Sequence, residues 1–444
     1  MEKVPPKPKK LKGATREDLS ELNKDELIDK ILQLEAHNLQ LKNIVSRNSN
    51  DTAETCNKRK RPFDFAKCHY RRVLLRVLYF GWDYHGLAVQ EDSTQTIEHH
   101  LFYALTKACL IESREMSQYH RCGRTDKGVS AFGQVISITL RSNQPPEEQN
   151  SDEAVKAEMP YCKIVNRLLP KEIRAVAWMP LSDDKKDFSA RFDCKQRLYK
   201  YYFPRSNLDL PAMRAACRHL VGSHDFRHLC KMDVGNGVVE FTREIFGAEI
   251  SRVGSDGLGG DSDPTSMYYL KIWGNAFLWH QIRCIVGVLL LVGQGKEQPS
   301  VVAELLDVEK VTRKPQYSMA LDLPLNLFQC TYDIESEVPW HYDADELRSV
   351  ITHIQNEWTL RSIKTTMIQD CLQKLEDQYA TCMIERKDME VDGGETDSIM
   401  AHTDCLLQGV KPKTYVALLD RVTCSSLEER IEYFKKKRKL NCTE

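Results

Sequence analysis

The sequence lacks any apolar run long enough to cross a bilayer. Its longest, residues 284–293 (CIVGVLLLVG), falls far short of the roughly 20 residues that a spanning helix needs. It also lacks a CxxC pair and any Cys/His spacing of the kind that builds a zinc finger, although it holds 15 cysteines. An odd number of cysteines, with no apolar signal-like segment at the start, leads us to expect a reducing, intracellular compartment. Net charge is missing too: 63 Lys and Arg against 64 Asp and Glu leave −1, so no global basic field marks a nucleic-acid partner. The acids, however, gather in stretches that read as loops (147–158, 256–263 and 385–397), which leaves room for a locally basic cleft. With 444 residues, 41% hydrophobic and 29% charged, the chain has the length and balance of a soluble globular body with solvated segments attached.

What is present centres on residues 121–140, RCGRTDKGVSAFGQVISITL. Their second half ends in Val135, Ile136, Ile138 and Leu140, the pattern of a buried or half-buried strand. Ahead of it, Gly123 and Gly128 bracket a single carboxylate, Asp126, crowded by Arg121, Arg124 and Lys127. Neighbouring cations hold a carboxylate ionised, and they also contact phosphates. On spacing alone two readings stay open: a surface turn closed by an Arg–Asp salt bridge, or a reactive Asp in a nucleic-acid site.

Residues 1–12, rich in Pro and Lys, read as disordered. A capping pattern at Asn23 and Glu26 opens a helix whose Leu27, Ile31, Leu34, Asn38, Leu41 and Val45 recur at spacings of four and three. It is either a short dimerising coiled coil, with Asn38 setting register, or a helix docked on its own domain. The cluster NKRKR at 57–61 is a nuclear-import signal, a nucleic-acid contact or a solvated charge run. Strands are expected at 73–79, 134–140, 173–178, 197–203, 240–253, 267–273 and 325–332, and helices over 97–108, 213–221, 280–292 and 301–306. Within the apolar helix Arg283 sits among Ile282, Ile285, Val286 and Leu289, where it either finds an anionic partner or snorkels to solvent. This mixture gives an α+β (mixed α/β) body over 68–336. A tail, helix and basic linker precede it over 1–67. A C-terminal helical extension follows over 337–444, with an acidic linker and the basic tail KKKRK at 435–439.

Four blocks, in order, resemble the TruA-type tRNA pseudouridine synthases. GRTDKGVSAFGQ (123–134) is similar to the catalytic motif, and ARFDCKQRLYKYYF (190–203) to a block with an R-x-Y-x-Y core, here Arg197, Tyr199 and Tyr201. GNAFLWHQIRCIVG (274–287) resembles N-A-F-x-x-H-x-x-R-x-x-x-G, and MALDLPLNL (319–327) a short A-x-x-x-G-L-x-L segment. Pro324 departs from that glycine, and Leu87, Ala88 and Val89 stand where aromatic or polar residues are common. The resemblance covers residues 70–333, and its form is most similar to the eukaryotic branch acting on positions 38 and 39 of the tRNA anticodon stem-loop.

The resemblance implies a pseudouridine-synthase fold: a central, mainly antiparallel sheet flanked by helices, built of two similar halves with an RNA cleft across the middle. It implies tRNA as partner and often a homodimer. The isomerisation gains no atom and changes no oxidation state, so no cofactor is expected. The short apolar run and the cysteine spacing lead us to expect no membrane and no metal. Asp126 would act as nucleophile or base, with Arg283 as its cationic partner. Tyr199 would stack on the flipped base and Leu325 would pack its other side, while Tyr201 and Phe203 read as core. Arg121, Arg124, Lys127, Arg191, Lys195, Arg197 and Arg205 are candidate phosphate contacts, and His280 reads as structural or RNA-contacting. The basic clusters lead us to expect nucleus and cytoplasm. A catalytically silent tRNA-binding protein is the rival reading, and the joint presence of Asp126, Arg283 and Tyr199 argues against it.

Overall fold

The computed structural model describes residues 63–254, 265–387, 403–409 and 414–440. The helix expected from Asn23 and the cluster at 57–61 lie outside them. The body begins with β1 (His69–Tyr79), α1 (Ile97–Lys107), the two-residue β2 (His120–Arg121) and β3 (Ser130–Ser142). Two short helices, α2 (Asp152–Lys156) and α3 (Tyr161–Asn166), lead to β4 (Ile173–Pro180) and β5 (Cys194–Pro204). Then come α4 (Leu210–Arg218), β6 (Gly222–Asp225), β7 (Thr242–Arg252) and β8 (Met267–Gly274). The body closes with α5 (Gln281–Gly293), α6 (Val301–Leu306) and β9 (Leu325–Tyr332), followed by α7 (Ala344–Lys387) and α8 (Leu427–Leu440).

Nine strands form one sheet in the order β4-β1-β3-β9-β5-β8-β7-β6, with β2 paired to β3 off this path. Every pairing is antiparallel except one, β3 with β9, where Ser130 lies opposite Asn326 and Ala131 opposite Leu327. That parallel seam has a direct consequence. It sets the starts of β3 and β9 side by side, so the loops entering both strands emerge at one place. One of those loops carries Asp126; the other carries Asp322.

Alternation along the strands separates two faces. On β5, Tyr199, Tyr201 and Phe203 are buried while Lys200 and Tyr202 are half-exposed between them. The first set belongs to the core, which also takes α5, apolar but for Gln281 and Arg283 and buried along its whole length. On the second face lysines lie over aromatic rings: Lys200 Nζ is 3.8 Å from the Phe328 centroid and 4.6 Å from that of Tyr269. After the sheet the chain behaves in two ways. Much of α7 is exposed, whereas later segments return to the body: Leu321 N–H donates to Leu406 O at 2.8 Å, Gln408 N–H to Met319 O at 3.0 Å, and Leu418 is fully buried.

Candidate active site

Asp126 sits in a cavity of about 600 Å³ at the seam. Its loop is held from behind. Thr125 Oγ1 shares a 2.7 Å hydrogen bond with the buried Tyr79 hydroxyl, and Leu87 N–H donates to Thr125 O at 3.1 Å. Gln134 Nε2 donates to Gly123 O at 2.9 Å. Gly128 is needed twice over: its φ is +80°, and a Cβ there would meet Asp322 Cγ at 2.9 Å. The residue therefore turns the chain into β3 and lets the Asp322 loop come close.

Two side chains from the turn before α5 touch the Asp126 carboxylate. Trp279 Nε1 donates to Oδ1 at 3.3 Å, and His280 Nε2 lies 3.4 Å from Oδ2. His280 holds a left-handed backbone, φ 57°, at the entrance to α5. Burial and the cations Arg283, Lys231 and Lys314 pull its pKa down to about 4, so the imidazole facing Asp126 is neutral near pH 7. The Asp126 carboxyl is itself held above the usual carboxylate range, first by burial. Arg283 and the Trp279 hydrogen bond oppose that rise, Asp322 adds to it, and Lys231 opposes it.

Arg283 is buried, as its apolar helix requires, and does not snorkel. Its direct partners differ from the expected one: Nε donates to Ala320 O at 2.8 Å, and Nη2 lies 3.6 Å from Asp322 Oδ2. It reaches Asp126 through its field rather than by contact. Asp322 lies inside the fourth matched block, yet nothing in the sequence marks it, because its neighbours come from loops far away in the chain. Arg283 Nη2 and the buried Tyr201 hydroxyl are both without a hydrogen-bond partner.

The remaining candidates divide. Arg124 and Lys127 are exposed and line the cavity. Arg121 and Arg114 line it too, but both pair with the fully buried Glu98, Arg114 at 3.2 Å, so much of their charge is already answered. Arg197 is no surface contact: it is 9% exposed and donates to the Cys122, Arg191 and Asn275 carbonyls, because its place at the start of β5 turns it inward. Lys195 pairs with Asp333 at 3.0 Å, and Arg205 donates to Ser206 O at 3.3 Å. Tyr199 is buried edge-on against Phe277, centroids 5.3 Å apart, and Leu325 is buried opposite Tyr201 in the β5–β9 register. Neither lines the cavity. Gln408 does line it, which brings the C-terminal region into the site, a role no motif announced.

A profile for tRNA pseudouridine synthases matches residues 216–333, from α4 to just past β9. The human tRNA pseudouridine(38/39) synthase is 44% identical over 92% of this chain and 87% of its own length. A protein named probable tRNA pseudouridine synthase from Caenorhabditis elegans is 34% identical over 86% of this chain and 94% of its own. On that breadth the chain belongs to the tRNA pseudouridine synthase family. Within the family, the relatives named for positions 38 and 39 also include a Saccharomyces cerevisiae protein, 35% identical over 79% of this chain and 80% of its own length.

Proposed function

We propose that this isomerase converts uridine to pseudouridine at positions 38 and 39 of the tRNA anticodon stem-loop, with Asp126 as the reacting carboxylate. The observation that carries the reading is one carboxylate, 33% exposed, at the parallel seam of the sheet, in a cavity whose mouth bears Arg124 and Lys127. A volume of about 600 Å³ is room for a flipped nucleotide.

The reaction breaks the N1–C1′ bond, rotates the base and forms a C5–C1′ bond. An ionised Asp126 serves as nucleophile toward sugar or base, or as base at C2′. The rim cations hold phosphates and fix register without reading sequence. Arg283 keeps Asp126 ionised from a distance, and its Nη2, paired with Asp322 at 3.6 Å but making no hydrogen bond, can donate to charge that develops on the substrate. The family resemblance assigns Tyr199 and Leu325 to the two faces of the base. Both lie inside the wall, Tyr199 against Phe277, so we infer that the base stacks on Tyr199 only after Phe277 turns aside.

The partner is tRNA, and the working form is a homodimer, a reading supported by the exposed apolar residues of α7. The clusters at 57–61 and 435–439 support residence in nucleus and cytoplasm. Pseudouridine mapping of tRNA transcribed without modification and incubated with the purified protein tests the proposal. Conversion at positions 38 and 39 is expected; tight binding without conversion would favour a silent tRNA-binding protein.

A further inference from the structure

Three cysteines that no sequence spacing connects meet behind the Asp126 loop. Cys122 follows β2, Cys194 opens β5 and Cys330 lies in β9. Their Sγ atoms are all within 4.8 Å of one another, and the residues are 1%, 7% and 1% exposed. Beside them the buried Arg197 donates to three backbone carbonyls, Cys122 O at 3.1 Å, Arg191 O at 2.7 Å and Asn275 O at 2.5 Å. Among the described residues no carboxylate pairs with it. A buried guanidinium without a counter-charge is costly, and the sulfurs are what face it. Tyr332 also reaches the cluster, its hydroxyl donating to Ala190 O at 2.7 Å.

We propose that Cys122, Cys194 and Cys330 form a structural site for a thiophilic divalent cation, zinc, with Arg197 as its charge partner. Charge selects the ion: three thiolates, a divalent metal and one guanidinium sum to zero, whereas copper(I) in the same place would leave a buried negative charge. Geometry allows it. Sulfurs about 2.3 Å from a tetrahedral zinc stand roughly 3.8 Å apart, so the cluster draws in by about 1 Å at most. The fourth position falls to an oxygen, the Tyr332 hydroxyl or a water. Binding gives up the contact that Cys194 Sγ makes with Gln196 O at 3.4 Å. The ion ties the segment just before Asp126 to β5 and β9, and this role is separate from the isomerisation itself.

Elemental analysis of the full chain, expressed with zinc and purified without chelators, tests the site. One zinc per chain is expected, lost in Cys194→Ser and Cys330→Ser and kept in Cys371→Ser, which alters an exposed cysteine of α7. Should the serine variants fail to fold, cobalt(II) added to reduced wild-type protein gives the reading instead: thiolate-to-cobalt charge-transfer bands with tetrahedral d–d transitions. Protein that takes up neither metal overturns the proposal, leaving three thiols packed as small apolar groups. So does zinc that persists in both serine variants, uptake of copper(I) alone, or a disulfide between any two of the three in a non-reducing peptide map.

Discussion

At the scale of single residues, the site is a carboxylate whose ionisation is set by four neighbours pulling in different directions. Asp126→Asn keeps the size and removes the charge, so turnover should fall by about 10²–10⁴-fold while tRNA binding, carried by phosphate contacts, persists. Measured turnover within tenfold of wild type would end the assignment. The acid limb of kcat/KM against pH reports the carboxylate in the free enzyme. Trp279→Phe deletes a hydrogen bond that favours the ionised form, so that limb should move to higher pH. Asp322→Asn removes a like charge, so it should move to lower pH. Two shifts of the same sign would contradict the field described above. His280 supplies a stability test. Its folded pKa of about 4 lies below its unfolded value of 6.5, so the unfolded chain binds more protons between those values and stability falls as pH drops through that window. His280→Asn tolerates the left-handed backbone and removes the titrating group. Urea unfolding should show the variant losing less stability than wild type between pH 7 and pH 5. Asp126 and Arg283 were legible in the sequence because their blocks are contiguous. Trp279 and Asp322 were not, since what matters about them is contact with a loop more than 150 residues away.

At the scale of elements, periodicity carried the reading a long way. The expected strand at 325–332 is β9 residue for residue, and the apolar helix expected over 280–292 is α5 to within one residue at each end. The helix expected at 213–221 begins earlier, at Leu210, because the Asp209 carboxylate caps it by accepting from Ala212 N–H at 2.9 Å. What alternation cannot show is which strands pair. The parallel β3–β9 seam that assembles the site joins segments almost 200 residues apart and left no local signal. One helix position tests how tightly the elements must meet. Gly287 on α5 faces the backbone of the next segment, where an added Cβ would lie 2.6 Å from Ser318 O. That segment leads to Ala320, whose carbonyl holds Arg283. Gly287→Ala would favour an isolated helix, yet here it should destabilise by about 1–3 kcal/mol through overpacking and reduce kcat by displacing the guanidinium. Thermal unfolding and steady-state kinetics would check both; a variant more stable than wild type and equally active would show that the segment yields.

At the scale of the whole molecule, the long helix α7 departs from the economy of the rest. Its first half is anchored on the body, where Arg361 lies over the Trp82 ring at 4.4 Å, and the segment leading into it is held by Arg76 over Trp340 at 4.1 Å. Farther along, Ile368, Leu372, Leu375 and Tyr379 recur at spacings of four, three and four, and all four are exposed. An apolar stripe of that period on a helix is what a second helix covers, and a second copy of the chain brings the same stripe. The dimer proposed above would therefore bury these residues between two copies of α7. Replacing Ile368, Leu372 and Leu375 together by Glu puts like charges along the seam without touching the sheet or the cavity. Sedimentation velocity should then show wild-type protein as a dimer and the variant as a monomer, with the thermal unfolding of the body unchanged. The variant should still convert uridine in a short anticodon stem-loop, because the Asp126 cavity is built within one chain. Binding of whole tRNA should weaken, with a shallower dependence on salt, since phosphates held by the second subunit are lost. A variant that remains dimeric, or a wild-type protein that is monomeric at every concentration, would remove α7 from the interface.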